Sequence, residues 1–397
     1  MQFRDLNKQY DAIKGRIDAG IHEVIAGSNF ISGSKVKELE EKLAEYVGVK
    51  HCITCANGTD AITIGLKAML SDLSSEDLSK EAVFVPDFTF FSTGECPASL
   101  GLPTYFVDVN SETYNINPDA LKKTVEQVIS EGKHIPKVVI AVDLFGQPAE
   151  YDKLHEICDK YDMYLFEDGA QGFGGAILDS AGQRKMACSL GNIATTSFFP
   201  AKPFGCYGDG GAIFTDNDEW ATLIRSICVH GRDMSDPDDP DAKYNNVRLG
   251  YNSRLDTIQA AVLLAKFDQF KDYELEAVNE VAGWYNEFLA GTDLKLPVTN
   301  SGYFSSWAQY TIQLPSDVDR GEIQNKMKES GVPTMVYYRK PMHQQGAFAG
   351  TISAKANCPV TEELCKNVLC LPMHPYLKKD VVEMVCGKLK EAVYGTR

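Results

Sequence analysis

No stretch of this chain approaches the run of about 18 apolar residues that a membrane span needs. The opening, MQFRDLNKQYDAIKGRIDAG, is charged and has no apolar signal core. Together these absences make a cytoplasmic protein the expectation. Positive charge is scarce too: 39 Lys and Arg stand against 55 Asp and Glu, a net charge of -16. Nucleic acid needs a basic footprint, so the balance argues against such a partner. It leaves small anions open, because single arginines and backbone amides hold those. Of the 11 cysteines, Cys52 and Cys55 have C-x-x-C spacing, and no second pair follows at metal-ligand distance. HCITC therefore reads as a buried strand, no metal is expected, and the scattered thiols fit a reducing compartment. Repeats, low-complexity tracts and charge blocks are missing as well.

A chain of 397 residues with 44% hydrophobic composition exceeds one small core and points to two domains. Apolar residues from Leu6 to Val24 recur at helical spacing, and a second helix is expected from Lys35 to Tyr46. Between them lies the break GSNFISGS. Seven short apolar runs then alternate with helical stretches: HCITCA, AVFVPD, TYFVDV, KVVIAVD, MYLFED, IATTSFF and GAIFTD. This is the pattern of an α/β fold on a mostly parallel sheet, with functional residues at the strand ends. A long helical stretch reaches Leu289. Beyond it, WAQYTIQL, VPTMVYY and NVLCLPM are strand candidates of a smaller α+β domain. The spacing places a large domain over 1–264 and a helical connector with the small domain over 265–397.

One lysine is out of place. TTSFFPAKPFGCYGDGGAIFT sets Lys202 among phenylalanines, prolines and glycines. Apolar company costs an ammonium its solvation and favours the neutral, nucleophilic amine. A snorkelling lysine beside a turn is the bland alternative.

Three other strand ends give that lysine a purpose. ANGTDA follows a strand and opens a helix, so Gly58 and Thr59 offer amides and a hydroxyl to an anion at a positive helix end. A plain N-cap from Asn57 or Thr59 explains the same turn. In FEDGAQGFGG, Asp168 ends an apolar run, with Gln171 three residues on. A buried carboxylate needs a partner, and a protonated pyridine nitrogen is one. Pyridoxal phosphate (PLP) enzymes pair that nitrogen with an acid and carry the cofactor on a lysine. Ser197 ends a strand within reach of a phosphate, and Phe90 in PDFTFFST can cover a ring face or pack in the core. The dinucleotide fingerprint G-x-G-x-x-G is not met: neither glycine cluster opens a helix in that order.

The ordered set NGTDA, EDGAQ, SFFPAK, GDGGAIFT and NSRLDTIQAA resembles the DegT/DnrJ/EryC1/StrS family of sugar aminotransferases, and the likeness runs over nearly the whole chain. It is nearest the branch that aminates 3-keto UDP-sugars, the UDP-2-acetamido-2-deoxy-3-oxo-glucuronate type. The resemblance implies fold type I of the PLP-dependent transferases, aspartate aminotransferase-like. It implies Lys202 as the Schiff-base lysine, Asp168 as the pyridinium partner and Gln171 near the ring hydroxyl. Gly58, Thr59 and Ser197 would hold the phosphate, with Phe90 stacked on the ring. Asn252 in YNSRLD would reach the phosphate from a neighbouring subunit, making a homodimer with shared sites the smallest working unit. Arg254 would contact an anionic substrate.

One departure stands out. VPTMVYYRKPMH has Tyr337 where that branch is expected to carry histidine, and Tyr338 in the tyrosine place. Both would face the sugar. Amino transfer from L-glutamate to a nucleotide-linked 3-keto sugar, for cell-surface glycan synthesis, is the expected activity. A 4-keto UDP- or dTDP-sugar is the alternative substrate. A PLP-binding regulator without turnover is the alternative of another class. Relatives with histidine in place of the lysine are dehydratases, and Lys202 argues against that activity.

Overall fold

The computed structural model describes residues 1–179, 181–234 and 244–395. Its strands are β1 (His51–Cys55), β2 (Glu81–Pro86), β3 (Thr104–Val107), β4 (Ile135–Val142), β5 (Tyr164–Asp168), β6 (Ala176–Leu178), β7 (Arg184–Met186), β8 (Ile193–Ser197), β9 (Gly211–Thr215), β10 (Tyr303–Phe304), β11 (Tyr310–Gln313) and β12 (Val368–Leu371). The seven apolar runs all become strands of one sheet, in the order β1-β9-β8-β5-β4-β2-β3. From β3 to β8 every pairing is parallel; β9 alone runs antiparallel to its two neighbours.

Continuous apolar runs are what a sheet covered on both faces requires. Successive side chains point to opposite faces, so each strand feeds two cores. Val83, Val85, Val138, Ile140 and Phe166 pack with Ala61 and Ile64 of the helix Gly58–Met69. Phe84, Val139, Ala141 and Leu165 pack with Leu121 and Leu154 of the helices Pro118–Glu131 and Tyr151–Tyr161. A third core joins the helix Ser34–Val47 to Phe198 and Phe204, the two fully buried rings of the lysine turn. A fourth lies under β11, β12 and the helices Leu275–Leu289, Arg320–Glu329 and Lys379–Tyr394.

The helical run from Thr257 to Leu289 links these cores. It is broken by one wide turn at Phe270–Glu274, with π-type hydrogen bonding. Residues up to Leu275 pack with the third core, and those from Val278 pack with the fourth. The segment VPTMVYY is a correction. Only Met335 pairs, as a single bridge to Cys370 of β12. Pro333 has no N–H for a ladder, and beyond Met335 the chain leaves the sheet so that Tyr338 packs edge-on to Phe88, 5.8 Å between centroids. No helix among the described residues is long and apolar enough to cross a membrane.

Candidate active site

The carboxyl ends of β4, β5 and β8, the start of the helix Gly58–Met69 and the lysine turn enclose a cavity of about 450 Å³. Ligand clefts in open α/β sheets form at this end of the strands. Gly58, Thr59, Phe90, Asp168, Gln171, Ser197, Lys202, Tyr337 and Tyr338 all line it. Residues from five separate stretches thus meet in one place.

Burial depresses the Lys202 amine, the nearby Asp168 charge opposes that, and the Arg4 guanidinium adds to it. Arg4 also fixes the turn, donating from Nη2 to the carbonyls of Lys202 at 2.9 Å and Pro203 at 3.4 Å. The aromatic neighbours divide their work: Phe198 and Phe204 anchor the turn in the core, while Phe199 stays half-exposed at the cavity wall.

Asp168 is buried at the end of β5. Burial raises its carboxyl, partly offset by a 2.8 Å hydrogen bond from Thr93 Oγ1 and by the Lys202 charge. Thr89 Oγ1 lies 3.1 Å from Thr93 Oγ1. The adjacent Glu167 points to the other face, as strand alternation demands. There it takes the N–H of Cys188, Leu190 at 2.7 Å and Gly191 at 3.2 Å.

The helix Gly58–Met69 presents its first turn to the cavity. Asn57 Oδ1 accepts the Asp60 N–H at 2.8 Å, so the cap is made. The amides of Gly58 and Thr59 have no intrahelical acceptor at this position. Gly58 is required by close approach: a Cβ there would sit 2.7 Å from the Ser197 Cβ. Gln171 is held at both ends, Oε1 accepting from Phe145 N–H at 2.9 Å and Nε2 donating to Tyr338 Oη at 3.2 Å.

Asn252 and Arg254 do not line the cavity of this chain. Asn252 is exposed and Arg254 half-buried. Between them, Ser253 Oγ accepts from Ala56 N–H at 3.1 Å and donates to Asp60 at 2.7 Å, tying this segment to the cavity turn. Arg254 pairs with no carboxylate among the described residues.

Several functional candidates escape the sequence motifs. Thr93 lies in PDFTFFST, where the hydroxyls were a signal as good as Phe90. Arg4 is 198 positions from Lys202, and nothing in sequence joins them. Gln309 lines the cavity with Oε1 buried and without a donor among the described residues.

A phosphorylated pyridine ring fits this donor set. Free helix-start amides and a glycine without room for a Cβ suit its phosphate. A buried carboxylate raised toward neutrality suits a cationic ring nitrogen. A depressed amine suits a carbonyl carbon.

Comparison with known proteins agrees. Residues 11–390 match the DegT/DnrJ/EryC1/StrS aminotransferase family model. The chain is 40% identical to the UDP-2-acetamido-2-deoxy-3-oxo-D-glucuronate aminotransferase of Pseudomonas aeruginosa, over 98% of this chain and 99% of that one. It is 38% identical to a pleiotropic regulatory protein of Geobacillus stearothermophilus (98% and 97%). It is 33% identical to the UDP-N-acetyl-3-dehydro-alpha-D-glucosamine 3-aminotransferase of Acidithiobacillus ferrooxidans (98% and 97%). Among solved structures, a DegT DnrJ EryC1 StrS aminotransferase from Brucella abortus superposes with a TM-score of 0.90 at 40% identity, covering 99% of this chain and all of that one. NtdA from Bacillus subtilis, solved with bound cofactor PMP, gives 0.81 at 27% identity, covering 96% and 82%. On the motifs, the cavity and these matches, the chain belongs to the DegT/DnrJ/EryC1/StrS aminotransferase family.

Proposed function

We propose that the protein is a PLP-dependent aminotransferase that moves the amino group of L-glutamate to the keto carbon of a 3-keto UDP-sugar. The observation that carries this reading is the meeting of a depressed lysine, a buried carboxylate and a helix start in one cavity. Two UDP-3-oxo-sugar aminotransferases among the relatives support the acceptor class.

When bound, PLP supplies an electron sink that stabilises negative charge on the substrate carbon. The chain's residues supply the rest. Gly58, Thr59 and Ser197 would hold the phosphate, and Asp168 would keep a positive ring nitrogen charged. Thr93 orients Asp168 through its 2.8 Å hydrogen bond. Phe90, 55% exposed and lining the cavity, would offer its face to the ring. Lys202 Nζ removes the proton from the donor's α-carbon and delivers one to the acceptor carbon, acting as base and then acid. Tyr337 and Tyr338 offer hydroxyls to the sugar. The nucleotide adds remote binding energy that places the keto carbon. Asn252 and Arg254 act across a homodimer, with Arg254 free to meet a carboxylate on the sugar. The exposed Val247, Leu249 and Tyr251, in the segment leading to Asn252, favour such a contact. Two domains are part of the same reading. The division proposed at 264/265 falls inside the helical run in which packing passes from one core to the next.

Product analysis with glutamate and a panel of 3-keto and 4-keto UDP- and dTDP-sugars tests this. Amination of a 3-keto UDP-sugar is the expected result. Turnover confined to 4-keto sugars would move the assignment to that branch, and no turnover with any sugar would favour a regulator.

A further inference from the structure

Outside the cavity lies a buried cluster in which Asp87, His343 and Cys358 bring their polar atoms within 4.8 Å of one another. Such a set suggests a metal, and the distances decide against one. His343 Nδ1 stands 2.6 Å from Asp87 Oδ2. Tetrahedral ligands with bonds of about 2.0 to 2.1 Å lie roughly 3.3 Å apart, so this pair is a hydrogen bond. The Asp87 hydrogen bond and the Asp87 and Glu362 charges raise His343 toward its charged form, in which Nδ1–H donates. Asp87 Oδ1 takes the His343 backbone N–H at 2.8 Å, and the Asp87 carbonyl takes the Met342 N–H at 3.0 Å. On its other side, His343 Nε2 lies 3.4 Å from Glu362.

The position of this cluster is informative. Asp87 follows β2 directly and opens the turn that carries Thr89 and Phe90 and leads into the helix Phe91–Ser99, where Thr93 lies. His343 lies five residues after Tyr338, at the end of the segment YYRKPMH. Glu362 belongs to the helix Pro359–Asn367, whose first turn is held by a second strand-end carboxylate. Asp108 accepts from the N–H groups of Val360 and Thr361, both at 2.9 Å. Leu364 and Cys365 of that helix pack in one cluster with Phe88 and Phe145, with Tyr337 and Tyr338 against it. His343 thus joins the turn that carries Thr89 and Phe90 to the segment that carries both tyrosines.

We infer that His343 is a positioning residue for the sugar-facing wall: bonded to Asp87 and facing Glu362, it holds the Tyr337–Tyr338 segment against the Phe90 turn and sets affinity for the acceptor sugar. This rests on the reading that the acceptor meets those tyrosines. His343 does not line the cavity, so its loss is expected to bear on the acceptor sugar more than on the donor half-reaction at Lys202.

Two readouts test the inference separately. The first needs no substrate: amide hydrogen exchange over residues 335–345 in the PLP-loaded protein. His343→Ala is expected to speed exchange there by at least about 10-fold. His343→Asn, whose amide can replace Nδ1–H toward Asp87, is expected to restore most of the protection. Unchanged exchange in the alanine variant would overturn the clasp whatever the enzyme's substrate. The second readout splits the reaction. With glutamate alone, the rate of cofactor conversion followed by absorbance is expected to stay within about 2-fold of wild type in both variants. The KM for the 3-keto UDP-sugar is expected to rise about 10-fold in His343→Ala and to recover in His343→Asn. An equal loss in both half-reactions, or an unchanged sugar KM, would overturn the positioning role. Failure of the wild-type protein on every sugar would instead count against the proposed function and leave the exchange result standing. If His343→Ala fails to fold, Asp87→Asn is measured the same way, with the same expected split.

Discussion

At the scale of single residues, two neighbours on β5 do opposite jobs because alternation sends them to opposite faces. Asp168 faces the cavity, and burial raises it toward neutrality until a cation arrives. Asp168→Asn removes the charge that a ring cation needs while keeping the shape. Turnover should fall roughly 100- to 1000-fold, with the melting temperature close to wild type; steady-state rates and thermal melts measure both. Glu167 lies on the far face beside Asp143, whose Oδ2 has no donor among the described residues. Side by side in the interior, each carboxylate disfavours the other's ionisation. Burial raises both, Glu167 to about 7, and each raises or is bonded by the other. The sign follows from linkage. A folded-state pKa above the unfolded one gives stability that is present at low pH and lost as pH rises, here from the ordinary carboxylate range up to about 7. Asp143→Asn places an amide donor toward Glu167 and removes one of the two coupled carboxyls. Melts from pH 5 to 8 should show a flatter profile and a higher Tm at pH 8 than wild type. An unchanged slope would show that the pair does not titrate in this range.

At the scale of elements, the seven strands were legible because a sheet covered on both faces demands uninterrupted apolar runs. Their carboxyl ends were legible because polar residues there have no core to enter. Asp168, Gly58 and Ser197 were singled out at strand ends and Lys202 by its apolar company, and all four line one cavity. VPTMVYY misled for the converse reason: β-branched and aromatic residues suit a strand, but here the tyrosines serve the cavity wall. Arg4 and Gln309 left no trace in sequence, since each acts through contacts closed only by the fold. The turn at Gly58 gives an element-scale test. A Cβ at this position meets Ser197 at 2.7 Å, so Gly58→Ala must push the helix start away from β8. Overpacking of this kind costs about 1 to 3 kcal/mol. The expected result is a PLP Kd raised about 10-fold or more in fluorescence titration, with a modest loss of Tm. Wild-type PLP affinity would mean that the helix start does not hold the phosphate.

At the scale of the whole molecule, the segment 244–254 is tied to the cavity through Ser253 yet exposes Asn252 and several apolar side chains. A site completed by a second copy accounts for both facts. Lys202→Ala and Asn252→Ala should each be inactive alone. After verified subunit exchange, activity should return in the mixed sample, because one site per hybrid dimer then has both intact halves. No return would place Asn252 outside the site. The central claim is narrower: Lys202 is the residue that carries the cofactor. A second buried amine makes the test sharp. Lys266 is also depressed by burial, to about 8, and is bonded to the carbonyl of Gly205 in the same turn. The measurement is borohydride reduction of the PLP-loaded protein followed by peptide mass mapping. The expected result is a single pyridoxyl group on the peptide containing Lys202, lost in Lys202→Ala. A label on Lys266, or none on the chain, would contradict the assignment.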